Sequence, residues 1–309
     1  MKKRILVLAS ANRDMILEMD HMPAPGETFR AESYGYAVGG KGSNAAVAFA
    51  RQDAAVTIAA CLGDDKDGHA IAESYNEEGL DTRAVRFTDR AQTGFALCTV
   101  EHDGNSRIIV VPGANEHFSF DDIPKEILDE PFDAMMTQFE VPFDSVVKGC
   151  AWAASRDIPV IIDAGPALPL PLEELRGITI FSPNETETTL LTGGMPVETM
   201  DDCLLAAQDL YKRTQAKFVV LKLGARGAFI YDGRESTFVP SFRVDAVDPT
   251  AAGDSFTAAL ALGYVQTHDI FAAVRRANAA GALAATRMGA QPSLPKKEEI
   301  DVFLAAQKD

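Results

Sequence analysis

Cysteine and tryptophan are scarce in this chain, with four and one among 309 residues. Cys61, Cys98, Cys150 and Cys203 stand far apart, form no CxxC pair and sit mostly inside apolar runs. Neither a disulfide framework nor a structural zinc site is built that way, so the cysteines read as reduced core residues of a cytoplasmic protein. The five histidines, His21, His69, His102, His117 and His268, show no HxxxH or HExxH spacing, which argues against a transition-metal centre. Basic residues are outnumbered, 29 Lys and Arg against 45 Asp and Glu, and the formal charge is −16. A nucleic-acid backbone or an anionic membrane needs a basic stripe, so neither is an expected partner. Long hydrophobic runs are missing too. The apolar stretch after Met1-Lys2-Lys3-Arg4 stops at Ala9, too short for a signal peptide or a membrane span, and reads as a first buried strand. No internal repeat or low-complexity tract stands out.

At 47% hydrophobic and 24% charged, the composition is that of a globular protein with a large core. Short apolar runs alternate with helical periods, the pattern of βα units around a mostly parallel sheet. Buried strands are expected at Arg4–Ala9, Ala55–Cys61, Ala134–Phe139, Pro159–Asp163, Ile178–Phe181 and Phe218–Leu223. Helices are expected at Ser43–Arg51, Gly68–Glu78, Phe143–Arg156, Glu185–Leu191, Met200–Thr214, Ser255–Gln266, Ile270–Met288 and Lys297–Ala306, each bounded by Gly, Pro, Asp or Asn. The fold class is therefore α/β, a three-layer αβα body. Two regions, at about 13–38 and 93–111, carry strand-like stretches without helices between them. Phe95–Val100 and Arg107–Val111 read as a hairpin turning at Asp103-Gly104-Asn105. These strands form either a small sheet lid over the carboxyl ends of the main strands or an antiparallel extension of the main sheet.

Gly39-Gly40-Lys41-Gly42-Ser43-Asn44 opens a helix. It imitates a dinucleotide fingerprint, with Asp64 downstream, but the preceding segment 32–38 is polar and broken by Gly35 where a buried strand is needed. It also imitates a Walker A loop, but Gly42 stands where the magnesium-binding hydroxyl belongs. What remains is open backbone at a helix start, with Lys41 as a cation and Asn44 as donor and acceptor; that suits a polyhydroxylated ligand or a phosphate. A capped glycine turn without any ligand has the same sequence.

A second constellation, Asp248-Pro249-Thr250-Ala251-Ala252-Gly253-Asp254, follows the strand-like Phe242–Val247 and opens another helix. The small residues Ala251, Ala252 and Gly253 would turn amides outward as an anion hole for a transferring phosphoryl group. Asp254 stands where a carboxylate could take the proton of an attacking hydroxyl, although an acid in a first turn also serves simply as a dipole partner.

Both motifs together resemble the ribokinase family, the PfkB carbohydrate kinases. Further family-like pieces are Asn12-Arg13-Asp14, Thr93-Gly94, Pro112–Asn115, Gln138–Glu140, Ser182–Glu187, Leu223–Gly227 and Thr286–Ser293, collinear over nearly the whole chain. The Gly289–Ser293 segment points to the ribokinase branch. The resemblance implies one kinase domain over residues 1–309. It implies transfer of the γ-phosphoryl of ATP to the primary hydroxyl of a pentose, ribose to ribose 5-phosphate first, with another sugar or a nucleoside as the alternative. A silent sugar sensor on the same scaffold, or a dinucleotide oxidoreductase, are the competing classes.

Residue by residue, the resemblance places Asn12, Asp14, Gly40, Lys41, Asn44 and Glu140 around the sugar, with Asp254 as the base. Ala252 and Gly253 steady the phosphoryl. Asn184, Lys222, Gly224, Gly227 and Asn278 fall to ATP, and Glu187 to Mg²⁺ through water. Asp248, Thr250, Ala284, Arg287, Gly289 and Ser293 fall to K⁺ or another monovalent cation. Apart from the resemblance, a homodimer through the lid sheet is expected if the inserted strands make an exposed sheet, because an uncovered edge invites pairing with its copy. On local grounds Asn184 and Glu187 could equally be a capping box, and Lys222 a solvated charge. Three positions depart from the family pattern: Asp163-Ala164-Gly165-Pro166 replaces Asn-Pro-Ala-Pro, Lys222 stands where Thr is frequent, and Pro249 follows Asp248.

Overall fold

A computed structural model describes residues 2–101 and 106–307. In chain order the strands are β1 (Arg4–Ala9), β2 (Asn12–Met19), β3 (Ser33–Gly39), β4 (Ala55–Gly63), β5 (Asp81–Thr88), β6 (Gly94–Glu101), β7 (Ser106–Val111), β8 (Ala134–Thr137), β9 (Val160–Asp163), β10 (Ile178–Ser182), β11 (Phe218–Lys222), β12 (Gly227–Tyr231) and β13 (Ser236–Pro240). The helices are α1 (Lys41–Arg51), α2 (Lys66–Glu77), α3 (Lys125–Leu128), α4 (Phe143–Ala154), α5 (Glu185–Leu191), α6 (Met200–Thr214), α7 (Ala252–Thr267), α8 (Ile270–Ala285) and α9 (Lys297–Ala306).

The main sheet has the order β13-β12-β11-β10-β9-β8-β1-β4-β5. From β11 through β5 neighbouring strands run parallel, and β12 and β13 add an antiparallel edge. Parallel strands buried on both faces need apolar residues at every position. β1 shows this: Ile5, Val7 and Ala9 pack into one core with α1, α7 and α8, while Leu6 and Leu8 pack into the other with α4 and α6. Period-two alternation thus gives one strand to both outer layers.

Three strands lie outside the expected runs. β5 is buried only at Ala84 and Thr88 at one sheet edge, and β12 and β13 form a hairpin that closes the opposite edge. Phe242–Val247, expected to be a strand, has no regular structure and runs along the cavity described below. α8 stops at Ala285, short of the expected Met288, and α7 begins at Ala252, three residues before the expected start.

The second sheet is separate from the first, with order β3-β2-β6-β7. This decides between the two sequence readings in favour of a lid rather than an extension of the main sheet. β6 and β7 pair antiparallel, as the hairpin reading requires; its turn, Asp103-Gly104-Asn105, lies outside the described residues. Asn115 anchors the root of the lid: its Oδ1 accepts the Ala11 amide at 2.8 Å, and its Nδ2 donates to the Ala11 carbonyl at 3.1 Å and to Asn12 Oδ1 at 2.9 Å.

Strand order reverses between β1 and β8: β4 and β5 lie to one side and β8 to β11 to the other. Ligands of open α/β sheets bind beyond the carboxyl ends at such a reversal. Here α1 starts immediately over β1, and only glycine permits so close an approach. A Cβ on Gly42 would lie 2.4 Å from the Ala9 Cα. Gly42→Ala should therefore push α1 off β1, costing about 1–3 kcal/mol and several degrees of Tm. Differential scanning calorimetry measures this, and an unchanged Tm would show that the approach is not limiting.

Candidate active site

A cavity of about 1160 Å³ lies between the two sheets. From the lid come Asn12, Asp14, Ala96, Cys98, Ile108 and Val110, and from the body Gly40, Lys41, Asn44, Glu140 and Asp254, with Asn184, Lys222, Gly224, Gly227, Gly253 and Asn278 toward the other end. Sixteen candidate site residues named in the sequence thus meet at one cavity; most stand at the end of a strand or in the first turn of a helix, while Asp14 lies within β2 and Asn278 midway along α8.

At the lid end, Ser10 Oγ, just past β1, donates to Glu140 Oε2 at 2.6 Å, just past β8. The Lys41 amide donates to the same oxygen at 3.0 Å. The reversal is therefore bridged by one carboxylate that also pins the first turn of α1. Asn44 Nδ2 donates to Asp254 Oδ2 at 2.8 Å, joining α1 to α7. Asn44 Oδ1 and Asp14 Oδ1 are buried without a partner. Buried acceptors of this kind are satisfied by donors from a ligand.

The charges are crowded. Lys41 Nζ lies 3.6 Å from Asp163 Oδ1 and 3.6 Å from Glu187 Oε1. Burial works against its charge, but Asp163, Asp254, Glu187 and Glu140 hold the ammonium far above its usual range. Burial lifts the Asp254 carboxyl to about 6; Lys41 pulls it down, Asp163 pushes it up, and Asn44 and Lys222 lower it. Burial also lifts Asp14 to about 7, aided by Glu140 and Asp254 and opposed by Arg13.

At the start of α7, Ala251 takes a left-handed conformation with φ 58°. The Ala252 amide donates to the Pro249 carbonyl at 3.1 Å. Of the three small residues read as an anion hole, Ala252 is therefore the one whose amide is already engaged.

Asn184 and Glu187 form a complete capping box, Glu187 N to Asn184 Oδ1 at 2.8 Å and Asn184 N to Glu187 Oε2 at 2.7 Å. Asn184 lines the cavity; Glu187 stands behind it against Lys41. Asn278 Nδ2 donates to the carbonyls of Val239 and Pro240 at 3.0 and 3.1 Å, so its remaining oxygen is what faces a ligand. Lys222 is not a solvated charge: it is 8% exposed and paired with Asp163.

Of the six positions assigned to a monovalent cation only Thr250 lines the cavity, and Asp248 ties Thr250 and Gly289 together beside it. Asp248 Oδ1 accepts from Thr250 N at 2.9 Å and Thr250 Oγ1 at 2.6 Å, and Oδ2 accepts from Gly289 N at 2.8 Å. Ser293 Oγ donates to Ala290 O, Ala284 is fully buried, and the Arg287 guanidinium turns to Glu299. Among the described residues no group of three His, Cys, Asp or Glu could hold a metal ion, and no helix is long and apolar enough to cross a membrane.

Sequence reading missed Asp163 as a site residue, although its place at the carboxyl end of a parallel strand was the available signal. It also missed Ser10 and Thr257, whose hydroxyls carry no pattern, and the 242–246 wall of the cavity, hidden by a strand-like composition.

The model of the family described as pfkB family carbohydrate kinase matches residues 2–297. The chain is 33% identical to a ribokinase from Haemophilus influenzae over 306 residues, 98% of this chain and 99% of that one. It is 32% identical to a deoxyribokinase from Salmonella typhi over 303 residues, 97% and 98% of the two chains. Among solved structures, the Arabidopsis thaliana ribokinase complexed with ribose and ATP superposes with a TM-score of 0.88 at 34% identity, covering 98% of this chain and 99% of that one.

Carboxyl ¹³C NMR should show Asp254 titrating near pH 6 and Asp14 near pH 7, both far above ordinary aspartates. Lys41→Met should move the Asp254 midpoint upward, because the ammonium is the strongest influence lowering it. A midpoint near 4 for Asp254 in the parent, or a downward move in the variant, would contradict this electrostatic picture.

Proposed function

The chain belongs to the pfkB family of carbohydrate kinases, and on that premise we propose that it transfers the γ-phosphoryl of ATP to the primary hydroxyl of a pentose, D-ribose to ribose 5-phosphate. One observation carries the reading: Asp254, buried and held by Asn44, lines the same cavity as Asn12 and Asp14 of the lid and as Gly253 at the start of α7. With a carboxyl near 6 it is ionised at neutral pH and still basic enough to accept a hydroxyl proton as the oxygen attacks.

Asn12, Asp14, Asn44 and Glu140 then bind sugar hydroxyls, and the unpartnered oxygens of Asp14 and Asn44 are the acceptors those hydroxyls fill. The sugar should be uncharged. The charge of Lys41 is already answered by four surrounding carboxylates, which leaves none for an anionic sugar. Gly253 steadies the phosphoryl in flight, and Asn184, Lys222, Gly224, Gly227 and Asn278 lie along ATP. Mg²⁺ supplies charge neutralisation on the phosphates; Glu187, which does not line the cavity and is held by Lys41, fits contact through water rather than direct ligation. K⁺ fits beside α7 between Asp248 and the 284–293 segment, where both Asp248 oxygens are spent on Thr250 and Gly289 and backbone carbonyls are left as ligands.

We further propose one catalytic domain in the cytoplasm, a setting that suits four free cysteines, and a homodimer through the lid. Ile109 and Val111 of β7 are 55% and 54% exposed on the face opposite to Ile108 and Val110, which line the cavity. Exposed apolar strand surface is what a second copy would cover.

In a coupled ADP assay with MgATP, ribose should turn over best in a panel with 2-deoxyribose, fructose and nucleosides. Failure of every sugar to release ADP would sink the kinase reading. Asp254→Asn should lower kcat at least about 10²-fold while calorimetry still detects sugar binding. In the parent, kcat/KM should fall about tenfold per pH unit below 6, where the base is protonated; a flat profile down to pH 5 would exclude Asp254 as the base. Sedimentation at micromolar concentration should give a dimer, and Ile109→Lys a monomer. A monomeric parent would contradict the interface.

A further inference from the structure

Resting on the kinase reading above, we propose that Lys222 is a second phosphoryl-binding cation, completing the anion hole beside Gly253, and that Asp163 is the positioning residue that holds it there.

The two residues are two of the three departures from the family pattern, and they end strands β9 and β11, which flank β10. The fold brings them together: Lys222 Nζ donates to Asp163 Oδ1 at 3.0 Å, with the lysine side chain 9% and the aspartate 0% exposed. They form a buried ion pair.

Asp163 is also tied to the helix that carries the anion hole. Thr257 Oγ1 donates to Asp163 Oδ2 at 3.0 Å and is 3.0 Å from the carbonyl of Gly253 one turn earlier. This linkage fixes where Lys222 ends: its Nζ lies 3.8 Å from the position a Cβ would take on Gly253. Lys222 lines the cavity and Asp163 does not, so the cation meets the ligand and the carboxylate stays behind it. Charge accumulates on a phosphoryl group at this spot, and with the Ala252 amide engaged by Pro249, one backbone donor is missing. An ammonium at that distance replaces it with a full charge.

Stability does not account for the pair. Burying two charges costs as much as their attraction returns, and a neutral pair of similar size is commonly as stable or more so. Burial pushes the Asp163 carboxyl up, yet Lys222 and Lys41 together with the bonds from Lys222 and Thr257 keep it below the ordinary range, so the carboxylate stays charged and can hold a lysine.

The test uses the full chain with Lys222→Thr, Lys222→Arg, Asp163→Asn and the double Asp163→Asn/Lys222→Thr, assayed with ribose and MgATP and titrated with Mg²⁺ complexes of ADP and of the β,γ-imido analogue of ATP. Lys222→Thr should lower kcat tenfold to a hundredfold while KM for ribose stays within twofold. It should weaken the imido analogue at least tenfold and ADP less. Lys222→Arg should keep most of the turnover. Asp163→Asn should fall between the parent and Lys222→Thr. The double variant should regain the Tm lost by either single change and keep the low kcat of Lys222→Thr. A double variant with parental kcat, or a Lys222→Thr protein that binds the imido analogue as the parent does, would reduce the pair to a structural filler and overturn the proposal. A parent inactive on every sugar would sink the kinase reading instead, and the analogue titration would still judge Lys222 by itself.

Discussion

The ammonium of Lys41 occupies a nearly closed space toward which Asp163, Asp254, Glu140 and Glu187 all direct negative charge. Four carboxylates so close would not all ionise alone, since like charges in a poorly solvated site drive protons back on. Lys41 keeps Asp254 near 6, a value at which the group is charged at neutral pH and can still take a proton. The placement of that ammonium depends on backbone: Gly42 lets α1 sit directly on β1, and Glu140 grips the Lys41 amide and Ser10 across the strand reversal. Loosening α1 would therefore be felt as altered proton affinity as much as lost packing.

An acidic protein that binds ATP has to solve a field problem locally. The net charge of −16 repels polyanions at the surface. Inside the cavity the start of α7, Lys41 and Lys222 present positive charge over a few ångströms, and Mg²⁺ carries more in with the nucleotide. Such an arrangement selects a small, enclosed, metal-escorted ligand. The lid sheet completes the enclosure, and Asn115 ties the root of β2 to the body so that Asn12 and Asp14 stay in register with the rest of the site.

Much of this was legible in the chain. Strands buried on both faces show as apolar runs, and β1, β4 and β11 stand close to where those runs fall. Glycine-rich helix starts show as Gly40–Asn44 and Ala251–Asp254, because close backbone approach leaves few other residues possible. The edges were obscure: β5 carries Asp81, Arg83 and Arg86 and buries only Ala84 and Thr88, β13 buries only Val239, and β12, though apolar, returns antiparallel to β11 with no helix between to mark a βα unit. Whether the inserted strands formed a separate sheet depended on long-range pairing of β2 with β6, which local sequence does not encode. Asp163 and Lys222, 59 residues apart, each looked like an isolated departure. Their meaning lay in a contact. The engagement of the Ala252 amide by Pro249 was hidden in the same way, being a matter of one turn's geometry.

The central claim is that this cavity moves a phosphoryl group from ATP onto a sugar hydroxyl. ³¹P NMR of the full-length protein with MgATP and ribose tests it most directly. The account predicts that the γ-phosphate signal is replaced, one for one with ADP, by a phosphomonoester on the 5-hydroxyl of ribose. ADP accompanied by inorganic phosphate alone, or a spectrum in which ATP persists unchanged, would contradict it.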